Sequence, residues 1–266
     1  MNSKEDAPRQ HLLFDSHCHL QGLEDPVAVW ARAQGSGVEG AVCAGTDPLD
    51  SRRALELARE LPGVLAAAGL HPHEAGRWGR DGLREVGELL AGGGFVAVGE
   101  CGLDYHYDYS PRPDQRDAFS AQVELANHYR LPLVVHSREA WEHTWEILQR
   151  EGVPEGVVFH CFTGGPEEAK VCLEMGAVLS FSGIVSFPKA DALREAARIC
   201  PLDRMLVETD SPYLTPVPLR GRPNEPAYVA HVVEALARAR EEPPSRAAEV
   251  TTANAKRIFA RLDGES

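Results

Sequence analysis

The segment Asp15-Ser16-His17-Cys18-His19 follows a short apolar run over residues 11–14, and its two histidines stand two apart. In extended chain such a pair points to one side, so both imidazoles can converge on one cation. Single acidic or histidine residues recur behind later apolar runs: Glu100 after 95–99, His136 after 133–135, His160 after 157–159 and Asp210 just past 205–207. Four imidazoles and two carboxylates exceed what one tetrahedral ion needs. Two ions sharing Glu100 as a bridge would use all six, with His17, His19 and Asp210 on one and His136 and His160 on the other. Two metals ~3.5 to 4 Å apart can hold a hydroxide between them and stabilise a leaving oxygen, which suits hydrolysis of a phosphodiester, ester or amide. Asp210, a carboxylate that can both ligate and orient the water, is the expected proton acceptor, and with bridging Glu100 it forms the expected catalytic pair. Mixed His/carboxylate sets accept Mg2+, Mn2+ or Zn2+.

One histidine alone is more often a packing residue than a ligand. The case rests on suitable residues recurring at the ends of separate apolar runs. His11, His128, His143 and His231 fall on the tail or within helices and are assigned structural or solvent-facing places, while His106 stays open. His71 and His73 could hydrogen-bond a substrate phosphate or serve a turn fixed by Pro72; His71 is kept as a substrate contact and His73 is given to the turn. Arg138, Arg220 and Arg222 lie in loops beside the expected ligands and could neutralise a substrate anion. Asp104 belongs to the aromatic stretch 102–109, and with His71, Arg138 and Arg222 it completes the expected substrate contacts.

These residues need elements that deliver them to one place. Strand signals at 12–15, 38–44, 64–70, 95–99, 133–136, 157–159, 177–181 and 205–207 alternate with helix signals at 26–34, 50–60, 81–90, 114–129, 139–150, 166–175 and 190–199. A Pro-rich loop, 211–223, precedes closing helices at 226–240 and 246–261. Eight repeats without a composition shift predict a single (β/α)8 TIM-type barrel, its metal site at the C-terminal mouth of the strands. A doubly wound sheet would concentrate its chemistry at one switch point. Ligands after strands one, four, five, six and eight fit a closed ring better. Residues 1–10 read as a polar tail and 11–266 as the barrel domain. The triple glycine 92–94 precedes a strand rather than a helix, which argues against a phosphate loop.

The 266 residues suit one such barrel. A formal charge of -13 argues against coating nucleic acid by general electrostatics, yet bound divalent ions would add positive charge that a residue count omits. Six cysteines without a CxxC pair read as reduced thiols, and Cys18, Cys101 and Cys161, each beside an expected ligand, are expected to pack against helices. With no apolar signal region and no long apolar run, the chain is expected to be cytoplasmic and off the membrane.

The motifs together resemble the TatD-type deoxyribonucleases, among the amidohydrolase-like metal-dependent hydrolases. The resemblance is carried by Asp15-Ser-His-Cys-His-Leu20, Gly69-Leu-His-Pro-His73, Gly99-Glu-Cys-Gly-Leu-Asp-Tyr105, His136-Ser-Arg138, His160-Cys-Phe-Thr-Gly164, Gly183-Ile-Val-Ser-Phe187, Glu208-Thr-Asp-Ser-Pro-Tyr-Leu214 and Asn224-Glu-Pro-Ala-Tyr228. It implies a two-metal site made of the same six residues, with DNA ends or single strands as substrate and no obligate protein partner. It also implies 3′ to 5′ exonuclease action and a role in DNA repair or degradation. Gln21 stands where the family often has Asp, and the loop 219–224 lacks a His and a basic residue common there, departures that bear on substrate preference. An alternative on the same site is hydrolysis of a carboxyl ester or amide such as a D-aminoacyl-tRNA, and a third reading is a metal-free scaffold that kept the barrel.

Overall fold

The structure, a computed structural model, describes residues 12–259. The expected tail over 1–10, His11 and the end of the expected last helix at 260–261 lie outside the described residues. Strands and helices alternate as β1 (Leu13–Cys18), α1 (Pro26–Gly35), β2 (Val38–Ala44), α2 (Pro48–Glu60), β3 (Val64–Ala68), α3 (Ala75–Ala91), β4 (Ala97–Asp104), α4 (Arg112–Tyr129), β5 (Leu133–Arg138), α5 (Trp141–Glu151), β6 (Val157–Phe159), α6 (Pro166–Glu174), β7 (Val178–Phe181), α7 (Asp191–Ile199) and β8 (Met205–Val207). Two helices follow, α8 (Val229–Arg240) and α9 (Pro244–Phe259).

Helix starts follow local chemistry. Asp25 accepts from the Ala28 amide at 3.1 Å and Asp47 from the Asp50 amide at 2.8 Å, each with proline at the first helical position. In α6 the Glu168 carboxylate accepts from the Gly165 amide at 2.8 Å.

All eight strands are parallel and neighbour one another in chain order. At the remaining seam the Asp210 amide donates to the His17 carbonyl at 3.0 Å and the His19 amide to the Ser211 carbonyl at 2.8 Å. The Asp15 carboxylate adds bonds from the Thr209 amide at 2.8 Å and hydroxyl at 2.5 Å. The result is a nearly closed (β/α)8 barrel, the expected class.

Side chains alternate between two cores, as a half-turn period along each strand requires. Phe14, Val42, Ala67, Val134, Val158 and Leu206 fill the barrel, whereas Leu13, Cys43, Ala66, Val135, Phe159 and Val207 join the larger core against the helices. Ile258 and Phe259 of α9 belong to the inner core, with Phe14 and Phe259 stacked at 6.4 Å. Thr252 donates to the Leu12 carbonyl at 3.0 Å and Asn254 to the Met205 carbonyl at 2.9 Å, so α9 seals the end where the strands begin. That leaves the C-terminal mouth as the open end.

Strand ends differ from the sequence reading in an instructive way. β1, β4 and β5 run past their expected ends at 15, 99 and 136, to Cys18, Asp104 and Arg138. β1 pairs Asp15 with Ala41 and next Cys18 with Cys43; β4 pairs Val98 with Leu133 and next Cys101 with Val135. Each carries one extra residue, a bulge, where His17 and Glu100 stand, and bulges re-aim side chains. The pairing across β4 and β5 also demands glycine at 102. Its φ is +139°, and a Cβ there would lie 1.9 Å from the His136 carbonyl oxygen. The range given for α3 holds two helical segments that meet at Gly79, whose backbone (φ 49°, ψ -139°) is not helical, so helix begins at Ala75, before the expected start at 81.

Candidate metal centre

The six residues singled out as ligands meet at the mouth. His17 Nε2 lies 3.3 Å from His19 Nε2, 3.3 Å from Glu100 Oε2 and 3.8 Å from Asp210 Oδ1. His19 Nε2 is 3.5 Å from both Glu100 Oε2 and Asp210 Oδ1. On the other side of the same carboxylate, Glu100 Oε1 lies 3.0 Å from His136 Nδ1 and 2.8 Å from His160 Nε2, which are 3.3 Å apart. The two oxygens of Glu100 therefore face two separate donor clusters.

These spacings fit a pair of divalent ions. Ligands about 2.1 Å from a tetrahedral ion stand roughly 3.4 Å apart, and ligands at right angles around a Mg2+-type ion roughly 2.9 Å apart. The ring nitrogens also have the correct faces free. The His19 Nδ1 proton goes to the Ala44 carbonyl at 3.0 Å and His136 Nε2 donates to Asp104 Oδ2 at 3.0 Å; His160 Nδ1, buried and without a hydrogen-bond partner, faces Glu208 Oε1 from 3.3 Å. Each leaves its other nitrogen turned to the centre, the arrangement by which outer partners fix a ligating imidazole. His17 packs face to face on His160 at 3.9 Å, its Nδ1 is buried without a hydrogen-bond partner, and one of its ring nitrogens lies within 4.8 Å of a Glu208 oxygen.

Electrostatics keep the acids ionised. Burial alone would raise Glu100, but the charge of His160 and the hydrogen bonds of His136 and His160 hold it well below the usual carboxylate range. Burial likewise opposes ionisation of Asp210, and the His19 hydrogen bond with the His160 charge overcomes it. His19 is raised to about 9, since Asp210 and Glu100 outweigh its burial, and His160 is raised well above its usual value by Glu100 and Glu208 against the same opposition. Burial and the neighbouring His160 push His17 down.

His71 behaves differently from the six. Its Nδ1 accepts the His73 amide at 3.1 Å, so the neutral ring carries its proton on Nε2, 3.3 Å from Glu100 Oε1. Burial pushes its pKa down to about 4, which keeps the ring neutral. Although its nitrogen lies close to Glu100 and His136, a ring with that hydrogen bond offers the centre a donor, not a lone pair.

The expected substrate contacts divide. Asp104 is 0% exposed, and its carboxylate is filled by His136, by His73 Nε2 at 3.1 Å and by the amides of His106 and Tyr107 at 3.0 and 2.9 Å. It sits behind His136, where no substrate reaches, because four donors hold it at the base of the 104–109 turn. His73, read as a turn residue, is that turn's link to Asp104. Arg138 is half-buried with its guanidinium 4.8 Å over the Tyr107 ring; Arg222 is exposed on the 211–223 loop, and Arg220 lies over Phe187. His106 is paired with Glu139 on the surface.

Cys18 and Cys101 pack in the helix-facing core as expected. Cys161 does not: its backbone turns left-handed (φ 41°), its thiol meets Ser182 at 3.3 Å, and its amide donates to Glu208 at 2.6 Å. Glu208 is the residue that sequence reasoning passed over. The available signal was its spacing of two from Asp210, which places two acids at one strand end.

The TatD-related DNase family model matches residues 14–260. The chain belongs to the TatD-related DNase family. It is 42% identical to the uncharacterized metal-dependent hydrolase YabD of Bacillus subtilis, over 93% of this chain and 99% of that one. It is 37% identical to the 3′-5′ ssDNA/RNA exonuclease TatD of Citrobacter rodentium, over 93% and 97%. The crystal structure of YjjV, a TatD homologue from Escherichia coli, superposes with a TM-score of 0.89 at 29% identity, covering 95% of this chain and 99% of that one. This TatD-family chain therefore has the frame and the donor set of a metal-dependent hydrolase. Among the described residues no helix is long and apolar enough to cross a membrane.

Proposed function

We propose that this chain is a metal-dependent nuclease that removes nucleotides from the 3′ end of single-stranded DNA. The observation that carries the reading is Glu100, whose two oxygens each face a complete donor cluster. His17, His19, Asp210 and Glu100 would hold one divalent ion, and His136, His160 and Glu100 the other. Bound there, the ions would supply Lewis acidity for water and for an anionic phosphodiester.

The chain's own groups do the rest. Asp210, kept ionised at the mouth, accepts a proton from the attacking water at its carboxylate. The neutral Nε2–H of His71 donates to a substrate oxygen at the centre. Asp104 and Glu208 hold His136 and His160 in the tautomers that face inward. Arg138 and Arg222, at the rim, neutralise the substrate backbone. The net charge of -13 suits an enzyme that takes one strand end rather than coating a duplex. Relatives 36–37% identical that carry the name 3′-5′ ssDNA/RNA exonuclease support the substrate class, and the six free cysteines accord with a reducing compartment such as the cytoplasm.

Purified protein given 5′-labelled single-stranded DNA with Mg2+ or Mn2+ is expected to produce a ladder of stepwise shortening, abolished by EDTA and by His136→Ala. Intact DNA under every metal would refute the reading. Release of the amino acid from a charged tRNA without nucleotide loss would favour the ester alternative.

A further inference from the structure

Two tyrosines beside the centre are used by nothing described so far. Tyr107 is 47% exposed and Tyr109 70%, yet they are ordered against each other, ring centroids 5.3 Å apart and planes 26° off parallel. The turn between them is built for this. Asp108 has a left-handed backbone (φ 51°), and Arg112 grips its carboxylate with bonds of 3.0 and 2.7 Å. Arg138 lies 4.8 Å over Tyr107, and the His73 ring meets Tyr109 at 4.7 Å and Tyr107 at 5.7 Å. His73 in turn bonds Asp104, the carboxylate that holds His136. The shelf is thus tied through one histidine to the second donor cluster.

We propose that Tyr109, backed by the Tyr107 ring, forms a stacking shelf for an unpaired nucleobase next to the bond being cut, with Arg138 beside it for the adjoining phosphate; this rests on the nuclease reading above. Exposed rings of this size cost hydration and bring no core packing, so a planar partner is the chemistry they suit. Every base offers a π-face, which makes such a shelf tolerant of sequence. A base paired in a duplex keeps both faces against its neighbours and cannot reach it. The shelf therefore selects unpaired ends.

The test uses the metal-loaded protein and an oligonucleotide with 2-aminopurine near its 3′ end, the terminal linkages being phosphorothioate to slow cutting. Stacking on the shelf quenches the fluorophore. Tyr109→Ala should lose the quenching and raise KM for unmodified single-stranded DNA about 5- to 100-fold, the range that the loss of one stacked base implies. Tyr109→Trp, which restores a planar ring, should quench at least as well as the parent. Matched thermal midpoints show that the variants are folded. If Tyr109 only braced His73, its removal would change the metal dependence of the rate and leave quenching intact, and that result overturns the shelf. Shortening by the parent with unchanged KM and quenching in Tyr109→Ala would also overturn it while leaving the nuclease reading in place. A parent protein that shortens nothing removes both.

Discussion

Replacing Asp104 by Asn tests whether the outer carboxylate sets the proton position on His136. The amides of His106 and Tyr107 point at Oδ1 from 3.0 and 2.9 Å and can only donate, so the asparagine oxygen must stay there. Its NH2 then faces His136 Nε2 and His73 Nε2, which stand 3.0 and 3.1 Å from the position Oδ2 now holds. Two donors cannot share that contact. His136 must move its proton to Nδ1, the atom 3.0 Å from Glu100 Oε1 that faces the second cluster. Losing a hydrogen bond to a charged acceptor costs about 1.5–3 kcal/mol, and outer-partner mutations typically weaken metal binding about 10- to 100-fold, so the two scales agree. The expected result is a divalent-ion concentration for half-maximal nuclease rate raised about 10- to 100-fold, with most of the rate recovered at high metal. Calorimetric titration should show weaker binding at the cluster that contains His136. Wild-type metal dependence in Asp104→Asn would refute the tautomer argument, provided the melting midpoint in EDTA is unchanged.

Two further outcomes follow from the same geometry. His19, raised to about 9, and His160, raised well above its usual value, hold protons near neutral pH when no cation is bound, so incoming cations must displace them. Affinity should climb by up to about two decades per pH unit near neutral pH and less steeply once His19 has lost its proton; calorimetry in buffers of different ionisation enthalpy should register about two protons released near neutral pH, and pH-independent binding would contradict the charge assignment. Gly102→Ala places a methyl group against the His136 carbonyl in a backbone conformation that alanine resists, so chemical denaturation of the metal-free protein should show a loss of about 3 kcal/mol or more; a loss below about 1 kcal/mol would mean that β4 and β5 part more easily than their pairing suggests.

The barrel was legible because a parallel strand buried on both faces writes itself as an apolar run, and segments such as Val157–Phe159 and Met205–Val207 came out with their observed bounds. The residues that converge at the mouth were legible for a related reason: a charged residue directly after such a run has nowhere to point except the mouth. The same logic misjudged strand ends. Polarity at His17 and Glu100 looked like termination, whereas both strands continue through a bulge, and a bulge leaves no mark in residue type.

It also misjudged Asp104, which composition groups with exposed loop acids although four donors bury it. Whether an acid binds an ion, a substrate or another ligand's imidazole depends on which donors surround it, and those donors come from residues as distant in sequence as His73 and His136. Glu208 shows the same limit from the other side. Its spacing from Asp210 marks both as strand-end acids, yet only the turn of the backbone at Cys161 brings an amide to one of its oxygens and His160 beside it. The inner residues of this centre are therefore a property of the strands, and the outer ones a property of how neighbouring loops fold back on them. Substitutions in the second group should accordingly alter how tightly and at what pH the site takes up its ions, while substitutions in the first should abolish the site.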